Sequence, residues 1–348
     1  MKSNPSFESS TRNQRPVTSD QKPETRNLLT HTRKGWYCPQ GDFYIDPTQK
    51  VDRAIITHAH ADHSRWGMKH YLSHHYNEGV MKRRLGKDIS FEGINYGEKR
   101  YINGVQVSFH PAGHIPGSAQ IRLEYKGDIW VITGDYKCND DGLSTPFELV
   151  KCHHFITEST FGLPVFNWES QDKIVQQIND YWASCVAKGE HLILTAYSLG
   201  KAQRLLNLLD RGIGQIHCHG AIVEMNRGLE ESGALNNCSK DFHDYLPLKD
   251  FSPKNGETCL FIMPPSGISD GFLKKLKNYR TANCSGWMAL RGRQQWDNLD
   301  KGFVISDHAD WKELIWACKE TGAEDIRAVH GYTEVLERFL VANNSIIP

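Results

Sequence analysis

No stretch of the chain is apolar for the length that a membrane-spanning helix needs, and no apolar leader opens it. No Cys-x-x-Cys pair occurs. The nine cysteines are odd in number and scattered singly, which excludes a disulfide framework and points to reduced thiols in a cytoplasmic protein. Net charge is also lacking: 41 Lys and Arg stand against 41 Asp and Glu. That balance excludes a binder that coats nucleic acid by bulk charge, though not a local basic groove. No internal repeat is evident. Residues 1–26, MKSNPSFESSTRNQRPVTSDQKPETR, hold almost no large apolar groups. Such a segment cannot offset the entropy of ordering, so a disordered tail without chemistry is expected. What the chain has in plenty is histidine, 17 residues, many of them in short clusters.

Residues 27–165 read as short strands separated by turns: GDFYIDP, RAIITHAH, VQVSFHPAG, QIRLEYKGD and IWVITGDY. The last two are joined by a hairpin signal at Lys126-Gly127-Asp128. Helices are expected over Ser64–His70 and His75–Leu85, with the basic run MKRRLGK at 81–87 on an exposed helical face. From about residue 166 the rhythm changes. Ile174, Ile178, Trp182 and Val186 recur at helical spacing. The strands HLILTAYS, QIHCHG, CLFIMPPS and TANCSGW alternate with the helices GKAQRLLNLLDRG and GFLKKLKNY. Strands alternating with helices imply a parallel sheet and an α/β layer structure. A strand GFVISDHADW, a helix WKELIWACKETG, a strand DIRAVHG and a helix TEVLERFLVANN close the chain. Histidine-rich strand ends return there, so residues 27–165 and 301–348 are expected to form one domain, interrupted by a second at 166–300.

The densest cluster is His58-Ala-His60-Ala-Asp62-His63, directly after the apolar run RAII. Imidazole nitrogen and carboxylate oxygen are ligands that a borderline divalent ion accepts. On an extended strand end His58 and His60 point to the same side. A turn then brings Asp62 and His63 to a second position, so one loop can serve two metals. Three further candidates also end strands: His114 in PAGHIPGSAQ, Asp135 in VITGDYK and His330 in AVHGYT. Each alone reads as an ordinary turn residue. Together with the first loop they complete two four-ligand sets, with Asp135 placed to bridge.

H-x-H-x-D-H, then Gly-His, then Gly-Asp resembles the metallo-β-lactamase superfamily. Within it, ESTFG, SLGKAQRLL, SDHAD and VHG resemble the β-CASP nucleases. The resemblance is nearest to the bacterial ligase-associated DNA exonuclease family, relatives of the Artemis-type DNA nucleases and of mRNA 3′-end cleavage endonucleases. It runs from GWYCPQGDFYIDP to HGYTEVLERFL. It implies an αββα metallo-β-lactamase sandwich with an inserted α/β β-CASP cap. His58, His60 and His114 would hold one divalent ion, and Asp62, His63 and His330 the other. Asp135 would bridge them, and Asp46 in FYIDP would orient the histidine loop. Zinc is the expected metal, with manganese an alternative. Glu158 in ITEST and His308 in SDHAD match the two motifs that mark the nucleases.

These resemblances imply a DNA exonuclease of DNA repair, in which a water shared by two cations ionises and attacks phosphorus in line. His308 would protonate the leaving oxygen, Glu158 would hold its imidazole, and Asp62 would serve the reaction centre. Ser198 and Lys201 at a helix start are phosphate candidates, with a plain helix cap as the bland reading. In GWMALRGRQQWDNLDKG, Arg291, Arg293 and Lys301 interleave with Trp287 and Trp296, a pattern suited to phosphates and bases. Core tryptophans beneath basic surface is the bland reading. Nucleic acid is the expected partner, DNA before RNA, with a DNA ligase and helicase of the same pathway and no membrane. Three alternatives stay open. An RNA-processing β-CASP nuclease fits because RNA-type members carry histidine at the position of His330. The others are a small-molecule zinc hydrolase that makes no use of His308, and an inactive scaffold.

Overall fold

The computed structural model describes residues 27–252, 257–290, 292 and 299–343. The tail expected to be disordered, residues 1–26, lies outside them, as do Arg291, Arg293 and Trp296.

Alternation at every second residue builds the first half. Strands β1 (Thr30–Thr32), β2 (Gly35–Cys38), β3 (Phe43–Ile45), β4 (Arg53–Ile56), β5 (His70–His74) and β6 (Phe91–Ile94) form a six-stranded sheet in sequence order. Helix α1 (Glu78–Leu85) crosses between β5 and β6. Strands β7 (Lys99–Ile102), β8 (Val105–Pro111), β9 (Ala119–Tyr125) and β10 (Asp128–Ile132) form an antiparallel meander, and β11 (His154–Ser159) adds beside β10 in parallel. The expected hairpin joins β9 to β10: Lys126 (φ +52°) and Gly127 (φ +83°) supply the two left-handed residues of a tight turn.

Ile55 and Leu72 face Val107, Phe109, Ile121, Trp130 and Ile156 of the second sheet. Ala54, Ile56 and Tyr71, one step along, face outward onto Val80 and Met81 of α1. A one-residue register slip would turn each set to the wrong face, at about 1.5–3 kcal/mol per large side chain.

The middle of the chain forms a third, fully parallel sheet. It contains β12 (His191–Thr195), β13 (Gln215–Cys218), β14 (Leu246–Pro247), β15 (Cys259–Met263), β16 (Tyr279–Cys284) and β17 (Lys301–Phe303). Its helices are α2 (Gln171–Ala187), α3 (Lys201–Leu208), α4 (Gly220–Glu231) and the single turn α5 (Asp270–Leu273). Because β17 pairs with β16, this sheet takes in residues beyond 300. The chain then forms α6 (Trp311–Glu320), returns to the second sheet as β18 (Asp325–Gly331) beside β11, and ends in α7 (Thr333–Ala342). Leu314, Ala317, Leu336 and Leu340 of α6 and α7 cover Val131 and Phe155. The first and last segments thus make a helix–sheet–sheet–helix sandwich with the parallel unit inserted. No helix of the described residues is long and apolar enough to cross a membrane. All nine cysteines are free thiols.

Several local expectations fail for visible reasons. Ser64–Lys69 is a loop, not a helix, and His70 already opens β5. The Tyr71 phenol donates to Arg65 O (2.8 Å) and accepts from Met68 N–H (3.1 Å), and Gly67 sits at φ +99°. GFLKKLKNY yields only α5, and GFVISDHADW keeps only Gly302 and Phe303 in β17, leaving SDHAD as a loop. Helix α4 was not foreseen.

That helix forms the seam between the two units. A Cβ on Gly79 of α1 would press into the Gly228 carbonyl of α4, and one on Gly228 would lie 2.8 Å from Val80 N. Gly79 N–H donates to Ser232 Oγ (2.8 Å), and Arg83 pairs with Glu224 and Glu231. Gly228→Ala should therefore lower stability by about 1–3 kcal/mol by forcing the helices apart. A denaturation midpoint equal to that of the wild type would contradict this close crossing.

Candidate metal centre

Strand tips bring the histidines and acids to one edge of the sandwich. His58–His63 leave the end of β4, His114 lies between β8 and β9, Asp135 follows β10, and Glu158 ends β11. His330 arrives by a bulge: Glu158 pairs with Val329 but Ser159 with Gly331, so His330 is the extra residue. It adopts φ +58°, unusual for a side chain-bearing residue, and its carbonyl accepts from Ser159 Oγ. The bulge leaves His330 lining the same cavity as His60, Asp62 and His63.

Hydrogen bonds on the far side of each ring decide where its lone pair points. His114 Nδ1–H donates to the Asp307 carbonyl (2.8 Å) and His60 Nε2–H to the Leu199 carbonyl (3.1 Å). Thr57 gives its only hydroxyl proton to Asp46 Oδ2 (2.6 Å), so its oxygen accepts from His58 Nδ1–H (3.1 Å). The remaining nitrogens, His58 Nε2, His60 Nδ1 and His114 Nε2, therefore carry lone pairs. His60 Nδ1 lies 3.1 Å from each of the other two. Burial drives all three pKa values down, which keeps the rings neutral. Asp135 Oδ2 completes the group at 3.5 Å from His58 Nε2 and 3.6 Å from His114 Nε2. The four ligand atoms lie within 4.8 Å of one another. Three lone pairs and a carboxylate facing inward repel unless a cation lies among them, and this donor set fits a tetrahedral divalent ion.

Asp62, His63 and His330 gather more loosely on the other side of Asp135. His63 Nε2 is 3.5 Å from Asp135 Oδ2 and 3.8 Å from Asp62 Oδ2, and its ring centre is 5.8 Å from that of His330. Asp46 Oδ2 accepts from His63 Nδ1 (2.7 Å). Burial pulls the His63 pKa down, but Asp135 and Asp46 carry it up to about 10. Burial likewise disfavours charge on Asp135, yet His63 and the other rings hold it well below the usual carboxylate range.

His308 Nδ1 lies 2.9 Å from Glu158 Oε2, and Glu158 Oε1 also accepts from Tyr136 N–H (2.8 Å). Burial lowers the His308 pKa, and Glu158 and Asp135 more than reverse this, to about 9. The ring stands 4.7 Å from that of His114. His308 and the ligands His60, Asp62, His63, His114, Asp135 and His330 line a cavity of about 650 Å³ that spans the sandwich and the inserted unit. Ser198 and Lys201 line it as well. The N–H groups of the α3 start are partly engaged: Gly200 N–H donates to Gln203 Oε1 (2.6 Å) and Ala202 N–H to Tyr197 O (3.1 Å). Trp287 forms cavity wall against Phe161, while Lys301 is exposed on β17 and does not line the cavity. Arg291 and Arg293 lie outside the described residues.

Sequence reasoning overlooked three contributors. Arg84, placed on an exposed face, instead turns inward and donates to Ala59 O (2.5 Å) and Ser64 Oγ (2.8 Å), clamping the histidine loop. Thr57 carried no signal beyond its place before His58. Leu199 acts through its carbonyl, which no side-chain pattern marks.

Two facing sheets, outer helices, an inserted parallel unit and histidines at the strand tips define a metallo-β-lactamase fold with a β-CASP-type insertion. No family model matches the chain. It is 26% identical, over 86% of its length, to part of a protein named probable DNA ligase from Opitutus terrae, covering 28% of that protein. Over 50% of its length it is 27% identical to cleavage and polyadenylation specificity factor 73 of Drosophila melanogaster, covering 26% of it. An RNase J-like protein of Methanocaldococcus jannaschii is 27% identical over 47% of the chain, which covers 44% of that protein. The chain thus spans from about a quarter to under half the length of these curated relatives. A solved protein of unknown function from Enterococcus faecalis V583 shares the fold at TM-score 0.55 and 11% identity, over 81% of this chain and 76% of that one.

Two outcomes follow from the proton positions. In chelator-stripped protein His63 holds a proton that a cation must displace, so metal uptake releases it and apparent affinity rises with pH towards about 10. Calorimetry in buffers of different ionisation enthalpy measures that release, and heats independent of buffer would contradict it. Thr57→Val removes the acceptor for His58 Nδ1–H and should weaken metal binding about 10–100-fold. Competition with a chelating dye reads that change, and an unaltered affinity would refute the orienting role.

Proposed function

We propose that the protein is a metal-dependent phosphodiesterase that degrades nucleic acid, DNA by preference and from strand ends. The observation that carries this reading is the Glu158–His308 pair beside Asp135. A zinc hydrolase of small esters or lactams has no need of a charged imidazole held there, whereas a departing ribose oxygen requires a proton.

One divalent ion would be held by His58, His60 and His114, and another by Asp62, His63 and His330, with Asp135 common to both. Such ions, zinc foremost and manganese as the alternative, supply positive charge for a phosphate and acidify water at neutral pH. Glu158 accepts the His308 Nδ1–H and leaves Nε2 for the cavity. A pKa near 9 keeps that ring protonated at neutral pH, ready to donate to the leaving 3′-oxygen. The products are a 5′-phosphate and a 3′-hydroxyl. Tyr197 on the cavity wall is 59% exposed, and Lys201 Nζ lies 4.9 Å from its ring centre, a pairing that suits a stacked base next to a phosphate.

DNA is favoured because the relative named as a ligase aligns over 86% of the chain, against 47% for the RNase J-like protein. The same name supports a DNA ligase as partner, since ligation uses these two ends, with a helicase of that pathway beside it. Nine free thiols suit a cytoplasmic location. A second reading, RNA processing, is favoured by His330 and by relatives named as ribonucleases, among them an RNase of Saccharolobus solfataricus that is 30% identical over 34% of the chain.

Digestion of matched DNA and RNA strands, labelled at either end, tests this. Wild-type protein should shorten DNA from an end, and His308→Ala and Asp62→Ala should each lower kcat by about 10²–10⁴-fold. Faster cleavage of RNA would replace DNA by the second reading. Variants as fast as wild type would overturn the phosphodiesterase mechanism.

A further inference from the structure

Behind the metal centre lies a separate cavity of about 340 Å³ at the seam of the two units. It is lined by Lys137 from the sandwich, Arg204 of α3, Ser170 and Gln171 at the start of α2, Trp168 and Ser306. Nothing in the reaction proposed above uses it.

Its cationic groups are buried and incompletely bonded. Lys137 is 4% exposed, and among the described residues its ammonium has no hydrogen bond and no ion pair. Arg204 is 3% exposed; its Nε donates to Gln171 Oε1 (2.6 Å) and its Nη1 to the Ser306 carbonyl (2.6 Å), which leaves Nη2 without a partner. Both residues line the cavity, so these donor groups are available to a ligand held there.

Nearby acids balance the charge but not the hydrogen bonds. Glu313 accepts from Asn139 N–H (2.8 Å) and Asp310 N–H (3.0 Å). Asp141 accepts from Leu143 N–H (2.9 Å) and Ser144 N–H (2.7 Å). At the rim, Asp140 accepts from Gly142 N–H (2.8 Å), and Glu169 is taken by Lys173 and Gln177. Helix α2 contributes the remaining donors. It has 17 residues, and its N-cap Ser170 makes no side-chain cap bond, so its first N–H groups stay open.

We infer that this rear cavity is a binding site for a phosphate-sized oxyanion, held by Lys137, Arg204 Nη2 and the N-terminus of α2. An anion there completes the donors of both units at once. It also touches the residue that fixes the metal centre from behind: Arg204 binds the Ser306 carbonyl and Asp307 Oδ1 (3.4 Å), and the Asp307 carbonyl orients His114. Occupancy of the rear cavity is thereby linked to the geometry of the first ligand set.

The test follows the thermal midpoint of the full, metal-loaded chain against inorganic phosphate, with chloride holding ionic strength constant. Wild type should show a saturable rise. Lys137→Met should lower phosphate affinity about tenfold or more, while Lys137→Arg stays within about threefold. Ser170→Asp supplies a side-chain cap for α2 while placing negative charge at the rim, so it should fold at least as well without phosphate and lose the response. It decides the matter if Lys137→Met does not fold. A flat wild-type response, or equal responses in wild type and Ser170→Asp, overturns the site; the latter result would mean that phosphate binds only at the metal centre. Because the readout is binding, failure here is distinct from failure of nuclease activity.

Discussion

The outward hydrogen bond on each buried imidazole is the constraint on which the metal centre depends. A neutral ring has one proton and one lone pair, so whatever takes the proton decides where the lone pair goes. At His58 the decision passes through Thr57 to Asp46, and at His60 and His114 it is made by backbone carbonyls. Three lone pairs are thereby aimed at one point beside Asp135. In an apolar interior this arrangement is unfavourable on its own and becomes favourable with a cation.

Two of those three decisions come from outside the first segment of the sandwich. Leu199 precedes α3 in the inserted unit, and Asp307 lies on the segment that returns from it. The insertion thus forms part of the coordination apparatus as well as the wall of the cavity. Asp307 itself is fully enclosed. Burial opposes its charge, but Lys201 and Arg204 hold its pKa down to about 2. Removing one partner from such a group typically costs about 3–5 kcal/mol, because the remaining charge is left buried and uncompensated. The ion group around Asp307 and the crossing at Gly79 and Gly228 therefore both hold the two units together.

Much of the site was readable because it lies at strand tips, where an apolar run ends in ligand-type residues. His58 to His63, His114, Asp135, Glu158 and His308 all stand in short motifs whose chemistry is carried by side-chain type. The alternation of apolar residues also separated the sandwich strands from the inserted parallel sheet. What escaped was carried by backbone and by tertiary contact. The Ser64–His70 segment has helical spacing, but the Tyr71 phenol and a left-handed Gly67 hold it as a loop up to Lys69. Arg84 looks like surface charge until the fold brings it to Ala59 and Ser64. Gly79 and Gly228 acquire meaning only when α1 and α4 cross. The bulge that aims His330 depends on the pairing of β18 with β11, which no local pattern encodes.

Anomalous diffraction from a crystal of the purified protein, collected at the absorption edge of the bound metal, addresses the central claim most directly. Two peaks flanking Asp135 are expected, one ligated by His58 Nε2, His60 Nδ1 and His114 Nε2 and the other on the side of His63. A protein soaked in zinc that shows no peak at Asp135, or whose His58 and His114 rings turn their Nδ1 atoms inward, would contradict the account.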